Sequence, residues 1–274
     1  MIVDAHFHCW QLARADYGWL TPALGPIYRD VSIADWQAQS AACGVRAGVL
    51  VQAAPTAAET DFLLAQAAQS EAVLGVVGWA DLLAADAPQH IARLASRPKL
   101  RALRPMLHDL PDPEWILQPA LSAALRAMVE NGLAFDALVR PVHLPALRQL
   151  CRRHPALRVV IDHAAKPDIA AAAWQPWADA LAALAAETQA VCKLSGLLTE
   201  AGPAAPASST WRWAGHVLAC FGPQRVLWGS DWPVLEAVST YGAWLAQTQA
   251  MLADLVPAER AEVLGGTAAR VYRL

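Results

Sequence analysis

The sequence predicts a single (β/α)8 TIM barrel, and three observations carry that prediction. Short apolar or β-branched runs alternate with longer Ala/Leu-rich runs of helical character along the whole chain. A helical crossover returns the chain in the same direction, so this alternation builds a parallel sheet, and eight such units in about 250 residues close it. The alternative, an open doubly wound sheet, would carry a Gly-rich phosphate turn after its first strand, and Asp4–Trp10 contains no Gly. No linker, charge block or low-complexity tract divides the 274 residues, so 1–274 is expected to be one domain.

The elements follow in order. A first strand, Ile2–His6, leads through a long loop to a helix at Ile33–Cys43, with Ser32 as its cap and Gly44 as its stop. The second strand is Ala47–Gln52, and Thr56 caps the helix Glu59–Ser70. Strand Val73–Ala80 pairs with helix Pro88–Ser96, and strand Leu100–Arg104 with helix Pro119–Glu130, which stops at Gly132. Strand Ala134–Val139 precedes helix Leu144–His154, and strand Arg158–Asp162 precedes helix Trp174–Glu187. Strand Ala190–Ser195 is followed by a Pro/Ala/Ser-rich surface loop, Gly202–Thr210, and helix Trp211–Phe221. Strand Val226–Gly229 and helix Tyr241–Leu252 complete the set.

Composition excludes several classes. With 56% hydrophobic and 16% charged residues the chain is the opposite of a disordered one. A net charge of -3 and no Lys/Arg cluster argue against a nucleic-acid partner. The longest charge-free stretch, Ala237–Ala253, is broken by Ser, Thr, Gly and Gln, so no membrane span is expected. The start shows no signal-peptide pattern, and the five cysteines form no close pair, which fits reduced thiols in a cytoplasmic protein.

In a barrel, reactive residues sit just past the C-terminal ends of the strands. The first strand runs out in Asp4-Ala5-His6-Phe7-His8. Residues two apart in a strand share a side, so His6 and His8 both face the barrel mouth. Imidazole suits zinc and related divalent ions and equally suits hydrogen bonding to a carbonyl. The sixth strand delivers Asp162-His163 into a loop, which brings a third imidazole to the same face. The eighth delivers Trp228-Gly229-Ser230-Asp231-Trp232-Pro233. Shielding by the two indoles raises the pKa of Asp231, whereas nearby positive charge lowers it. Such a carboxylate fits a general base that takes a proton from water. Each of these residues alone is equally a turn cap or a satisfied strand-end histidine. Together they either hold a metal or polarise a carbonyl while activating water.

Other polar groups at the strand ends can bind the hydroxyls or carboxylate of a substrate. They are Trp79 after strand three, Arg104 and His108 after strand four, Lys193 at the end of strand seven, and Trp232 beside Asp231. Arg14, Tyr17 and Trp19 in the long first loop either cover the site or serve as surface packing. His90, His154 and His216 fall on helices and are read as solvent or packing residues. The chain has no Gly-x-Ser-x-Gly elbow and no catalytic Cys context, which disfavours an acyl-enzyme.

At this point the residues carry a family likeness. The segments are Asp4–Trp10, Tyr17–Leu20, Val77–Leu82, Asp162–Pro167, Cys192–Glu200, Trp228–Pro233 and Gly265–Tyr272. The chain resembles the amidohydrolase-related family of the amidohydrolase superfamily, and within it the sugar-lactone hydrolases of the L-fuconolactonase group. The resemblance implies hydrolysis of a lactone ester, such as an L-fucono- or related 1,5- or 1,4-lactone, to the sugar acid. It implies that His6, His8 and His163 polarise the carbonyl or bind a metal, and that Asp231 activates water. Arg104, His108, Lys193, Trp79, Trp232 and Tyr17 are the expected substrate contacts. Many members of the superfamily hold one or two metals, often with a carboxylated Lys on strand four. Here Leu100–Arg104 offers only Arg at its polar positions, which argues against a binuclear centre. The metal stays open between one divalent ion, zinc, on His6, His8, His163 and Asp231, and none. The expected partner is a small-molecule sugar lactone, with neither nucleic acid nor membrane, and a homo-oligomer is compatible with the chain. The rival readings are a mononuclear-zinc decarboxylase or a dicarboxylate-lactone hydrolase of the same superfamily, and a catalytically silent barrel that binds a sugar acid.

Overall fold

The computed structural model describes residues 1–274, apart from the side chain of Ala207. Eight parallel strands pair in chain order: β1 (Val3–Phe7), β2 (Ala47–Val51), β3 (Val73–Gly78), β4 (Leu100–Leu103), β5 (Ala134–Ala137), β6 (Val159–Ile161), β7 (Val191–Leu194) and β8 (Val226–Trp228). Helices α1 (Ile33–Ala42), α2 (Ala57–Ala68), α3 (Ala87–Ala95), α4 (Ser122–Glu130), α5 (Leu144–Arg153) and α6 (Trp177–Glu187) lie between successive strands. Helices α7 (Leu197–Ala201) and α8 (Trp211–Phe221) join β7 to β8, and α9 (Tyr241–Met251), α10 (Pro257–Ala261) and α11 (Thr267–Tyr272) follow. The expected (β/α)8 barrel is the fold observed. Its caps form as read: Ser32 Oγ accepts from Asp35 N–H at 3.2 Å while the Asp35 carboxylate accepts from Ser32 N–H at 2.8 Å, and Thr56 Oγ1 accepts from Glu59 N–H at 3.0 Å. The stretch Gly202–Thr210 differs from a plain surface loop in ending on a fully buried Thr210. No described helix is long and apolar enough to cross a membrane.

Strand parity explains what fills the barrel. Val3, Ala5, Val49, Val51, Val77, Ala102, Ala134, Val160, Val191 and Leu227 form one apolar cluster, closed off by Ala268, Val271 and Tyr272 of α11. The intervening residues, among them Leu50, Leu103, Phe135, Ile161 and Trp228, join the larger cluster that packs against the helices. Small inward residues suit the narrow interior of an eight-stranded barrel. The next inward position on four strands is charged rather than apolar: Arg104 after Ala102, Asp136 after Ala134, Asp162 after Val160, and Lys193 after Val191.

β1 breaks this parity. Val3 and Ala5 point inward, so strict alternation would turn His6 outward. A register shift in the β1–β2 pairing between Asp4 and Phe7 adds the half-step that swings His6 inward and sends Phe7 out to stack on Trp36 at 4.0 Å. The barrel closes next to this shift. β1 meets the segment after β8 through Asp231 N–H to His6 O and His8 N–H to Trp232 O, both 2.8 Å. Gly229 allows the approach, since a Cβ there would lie 2.8 Å from His6 Cβ.

Asp4 latches the seam. It is fully buried, and its Oδ1 accepts from Ser230 N–H at 2.8 Å and His6 N–H at 3.2 Å. Its Oδ2 accepts from the Ser230 hydroxyl at 2.6 Å, the Trp36 indole at 3.0 Å and the Tyr241 hydroxyl at 3.0 Å. Burial pushes the Asp4 carboxyl up, while these donors pull it back. Removing the carboxylate strands several buried donors, each worth about 1–3 kcal/mol. Asp4→Ala is therefore expected to lower stability to urea by about 3 kcal/mol or more, with Asp4→Asn losing less. A loss below about 1 kcal/mol for Asp4→Ala would show that the seam does not hang on this residue.

Candidate active site

The four residues expected to converge do so. Asp231 Oδ1 lies 3.4 Å from His8 Nε2, 3.7 Å from His6 Nε2 and 3.8 Å from His163 Nε2. His6 Nε2 and His8 Nε2 are 3.1 Å apart. Each imidazole is aimed from behind. His8 Nδ1 donates to Val51 O at 2.7 Å, and because a carbonyl only accepts, the proton sits on Nδ1 and the Nε2 lone pair faces the site. His163 Nδ1 pairs with Ser195 Oγ at 2.9 Å. His6 Nδ1 meets the Lys193 ammonium at 3.1 Å.

His163 and Asp231 both occupy strained backbone. His163, Ala164, Ala165 and Lys166 all have positive φ, between 48° and 62°, and Asp231 has φ 58°. A left-handed turn of L-residues costs about 1–2 kcal/mol per residue. The turn is held by Lys166 N–H to His163 O at 2.8 Å and by the Trp177 indole to Ala164 O at 2.7 Å. Gly196 closes the space behind the ring: it has φ 67°, and a Cβ there would lie 2.8 Å from His163 Nδ1.

Beneath the imidazoles lies a buried charge cluster. Lys193 Nζ is 2.7 Å from Asp136 Oδ2, 2.9 Å from Asp162 Oδ1 and 3.1 Å from His6 Nδ1, with no solvent exposure. Tyr272 of α11 gives its hydroxyl to Asp136 at 2.6 Å, and its ring lies under the ammonium. Arg104 Nη1 donates to Asp162 Oδ2 at 3.1 Å, its other amino group bonds Gln52 O, and Gln52 Nε2 donates back to Arg104 O at 2.8 Å.

The environment sets the protonation states. Burial, reinforced by Lys193, holds His6 well below the usual histidine range, and burial brings His163 down to about 4. Burial pushes Asp231 up, but the three facing imidazoles outweigh it and hold the carboxyl well below its ordinary value. Burial likewise raises Asp162, and Lys193, His6 and Arg104 overcome it. Asp136 goes the other way, up to about 6, because burial there exceeds the pull of Lys193 and Tyr272.

His8, His163 and Asp231 open into a cavity of about 210 Å³ at the C-terminal ends of the strands, while His6, with no solvent exposure, stands behind them. Arg104 and His108 line it as expected, with Trp19, Lys166 and Asp109 and the apolar Ala53, Met106, Leu138 and Val234. The other expected contacts lie elsewhere. Lys193 is sealed below the site. Tyr17 sits behind the wall, bonded to Glu59. Trp79 is tied through its backbone to Thr60 Oγ1, and the buried Trp232 gives its indole N–H to Glu236. Asp136 and Asp162 are absent from the expected set. The signal for them is a charged residue at an inward position of an otherwise apolar strand.

The donor set fits one divalent ion. Ligand atoms about 2.0–2.1 Å from a tetrahedral ion sit about 3.3 Å from one another. Asp231 Oδ1 stands 3.4–3.8 Å from the three imidazole Nε2 atoms, and the Nε2 atoms of His6 and His8 are 3.1 Å apart, all close to that value. Among the described residues, His6, His163 and Asp231 form the one group of His, Cys, Asp or Glu whose ligand atoms all lie within 4.8 Å.

Fold and site together define a barrel enzyme of the hydrolase type, with imidazoles from β1 and β6 set against an aspartate from β8. The amidohydrolase family profile matches residues 3–274, and the chain belongs to that family. It is 47% identical to an L-fucono-1,5-lactonase of Burkholderia ambifaria, over 99% of this chain and 95% of the relative. It is 35% identical to an L-fucono-1,5-lactonase of Burkholderia multivorans, over 99% and 96%. The crystal structure of an amidohydrolase from Burkholderia multivorans with bound zinc superposes with a TM-score of 0.94 at 34% identity, over 100% of this chain and 99% of that one.

Lys193→Met leaves Asp136 and Asp162 buried beside an uncharged side chain. Breaking a buried pair in this way costs about 3–5 kcal/mol. Guanidinium denaturation of the purified variant is expected to show a loss of that size, and a loss below about 1 kcal/mol would mean the carboxylates are answered without Lys193.

Proposed function

We propose that this protein is a cytoplasmic sugar lactonase that works as one domain, 1–274, and opens an aldono-lactone such as L-fucono-1,5-lactone to the sugar acid. The observation that carries this reading is the convergence of three imidazoles on an ionised Asp231, with His8, His163 and Asp231 lining a small cavity. The likeness to two relatives named L-fucono-1,5-lactonase supports the choice of substrate. The cavity is small beside the roughly 300–1,000 Å³ pockets that take drug-sized ligands, which suits a single sugar ring. Neither nucleic acid nor membrane has a place in this reaction.

The mechanism follows from the geometry. Asp231 is ionised across the neutral range and enters as the proton acceptor. It takes a proton from water, whose oxygen bonds to the lactone carbonyl carbon. The tetrahedral centre then collapses, the ring C–O bond breaks, and Asp231 returns the proton to the departing alkoxide. A carboxyl held well below its ordinary pKa gives that proton back readily. His8 and His163 line the cavity beside Asp231, where the carbonyl oxygen would develop charge, and the Arg104 guanidinium on the same cavity wall, 3.5 Å from His6 Nε2, adds positive charge there. Arg104, His108 and Lys166 at the cavity wall orient the hydroxyls.

Zinc is the ion we propose for His6, His8, His163 and Asp231, since the related Burkholderia multivorans structure carries it. When bound, such an ion polarises a carbonyl and acidifies water.

Two measurements test this reading. In a screen of aldono-1,4- and 1,5-lactones by proton release, wild type is expected to turn over at least one lactone. Asp231→Asn is expected to lose about 10³-fold or more in kcat, the scale of losing an acid–base group, with its thermal midpoint retained. A wild type that opens no lactone sinks the proposal. Elemental analysis is expected to find no more than one tightly bound metal per chain, and two would contradict the single-ion site.

A further inference from the structure

A second set of polar contacts, buried at Glu59 and distinct from those of the four site residues, holds the cavity wall. Trp19 lines the cavity, and its indole N–H donates to Ala53 O at 2.7 Å. Ala53 also lines the cavity, and its own N–H donates to Glu59 Oε1 at 3.1 Å. Glu59 Oε2 accepts from the Tyr17 hydroxyl at 2.7 Å and faces Arg14 Nη2 at 3.4 Å. Arg14 donates to Asp16 at 2.7 Å and lies over the Phe62 ring at 4.5 Å, and Asp16 accepts from the Thr56 hydroxyl at 3.0 Å. Glu59 and Phe62 belong to α2, whereas Arg14, Asp16, Tyr17 and Trp19 belong to the long loop between β1 and α1.

Glu59 has no solvent exposure. A carboxylate is taken out of water only where partners answer it. Here every partner belongs either to the β1–α1 loop or to the backbone of the wall residue Ala53. The loop's other charged tie, Arg29 to Glu236 at 2.8 Å, is part-exposed and contributes little.

We infer that Glu59 is a positioning residue for substrate binding. It clamps the β1–α1 loop through Tyr17 and Arg14, and holds Ala53, so that the Trp19 indole stands as a wall of the cavity. An indole face is the surface against which the C–H face of a sugar ring packs. The clamp acts on binding and not on the chemical step, because His6, His8, His163 and Asp231 are held by separate contacts from β2, β7 and the β1–β8 seam.

The titration of Glu59 supports the same assignment. Burial pushes its carboxyl up to about 7, against the pull of Tyr17, the Ala53 N–H and Arg14. The groups facing it are Arg14, Asp16 and Tyr17 of the loop and the Cys9 thiol. Lifting the loop re-solvates Glu59 and returns it toward its ordinary value. The closed loop therefore binds a proton that the open loop releases, and closure weakens as pH rises from about 4.5 to about 7.

The test compares wild type, Glu59→Ala and Tyr17→Phe. Its kinetic arm rests on the lactonase reading, and its proteolysis arm does not. Both variants are expected to keep kcat within about twofold of wild type while KM rises about fivefold, the pattern of lost uniform binding on the scale of one hydrogen bond. Wild-type KM is expected to rise between about pH 4.5 and about pH 7 and to level off above it, and Glu59→Ala to flatten that rise. Trypsin is expected to cut the folded variants several-fold faster than wild type after Arg14 or Arg29. Unchanged KM together with unchanged cleavage, or a fall in kcat at constant KM, overturns the inference. If wild type opens no lactone, the lactonase reading fails and the cleavage rates alone decide the clamp. If Glu59→Ala does not fold, Tyr17→Phe, which deletes one hydroxyl, decides it.

Discussion

A lysine ammonium inside a barrel must be answered on every side, and the way Lys193 is answered organises the site above it. The three contacts of its Nζ go to Asp136, Asp162 and His6. Each contact joins β7 to a different part of the structure: β5, the end of β6, and β1. Asp162 in turn holds Arg104 at the end of β4. The charged cluster therefore ties four strands and His6 into one rigid floor, where shifting any member strands another charge in low dielectric. Tyr272 extends the connection to α11, which plugs the opposite end of the barrel.

Catalytic geometry is built on top of that floor at the expense of local strain. His163 and Asp231 sit in left-handed backbone, and His6 depends on a break in strand register. None of these arrangements is favourable by itself. They persist because tight contacts surround them: Gly196 against the His163 ring, Gly229 against His6, the Trp177 indole on Ala164, and the Asp4 latch across the seam. Asp4 lies one residue from the bulge and Ser230 one residue from Asp231. The latch that closes the barrel therefore also sets the separation between Asp231 and the first imidazole.

The fold was legible because barrel elements leave strong local traces. All eight strands and the eight main helices fall within a few residues of their expected bounds, and the caps at Ser32 and Thr56 form by local hydrogen bonds that sequence spacing encodes. The four converging residues were legible because a barrel fixes where strand ends point. The cluster beneath them was read only in part. Lys193 was visible as a polar strand end but was expected to touch substrate, whereas Asp136 lies mid-strand and pairs only across the barrel. Such a partnership depends on register between non-adjacent strands, which one-dimensional spacing does not contain. The same holds for Tyr17 and Trp19. Their place in a covering loop was readable, but which one faces the cavity depends on Glu59, 42 residues further on from Tyr17.

The floor and the wall are built from different materials, and this divides their roles. The floor rests on strands, buried ions and a closed seam, so a change there disturbs folding and chemistry together. The wall rests on a loop held by one buried carboxylate and a few hydrogen bonds. A loop can be re-aimed with less effect on Asp231 and the imidazoles, because their hydrogen bonds run to other residues. Substitutions in Arg14–Trp19, or in the apolar wall at Met106, Leu138 and Val234, can therefore alter which ring the cavity accepts while the hydrolytic geometry stays in place. Within this architecture, substrate choice is the part least constrained by folding.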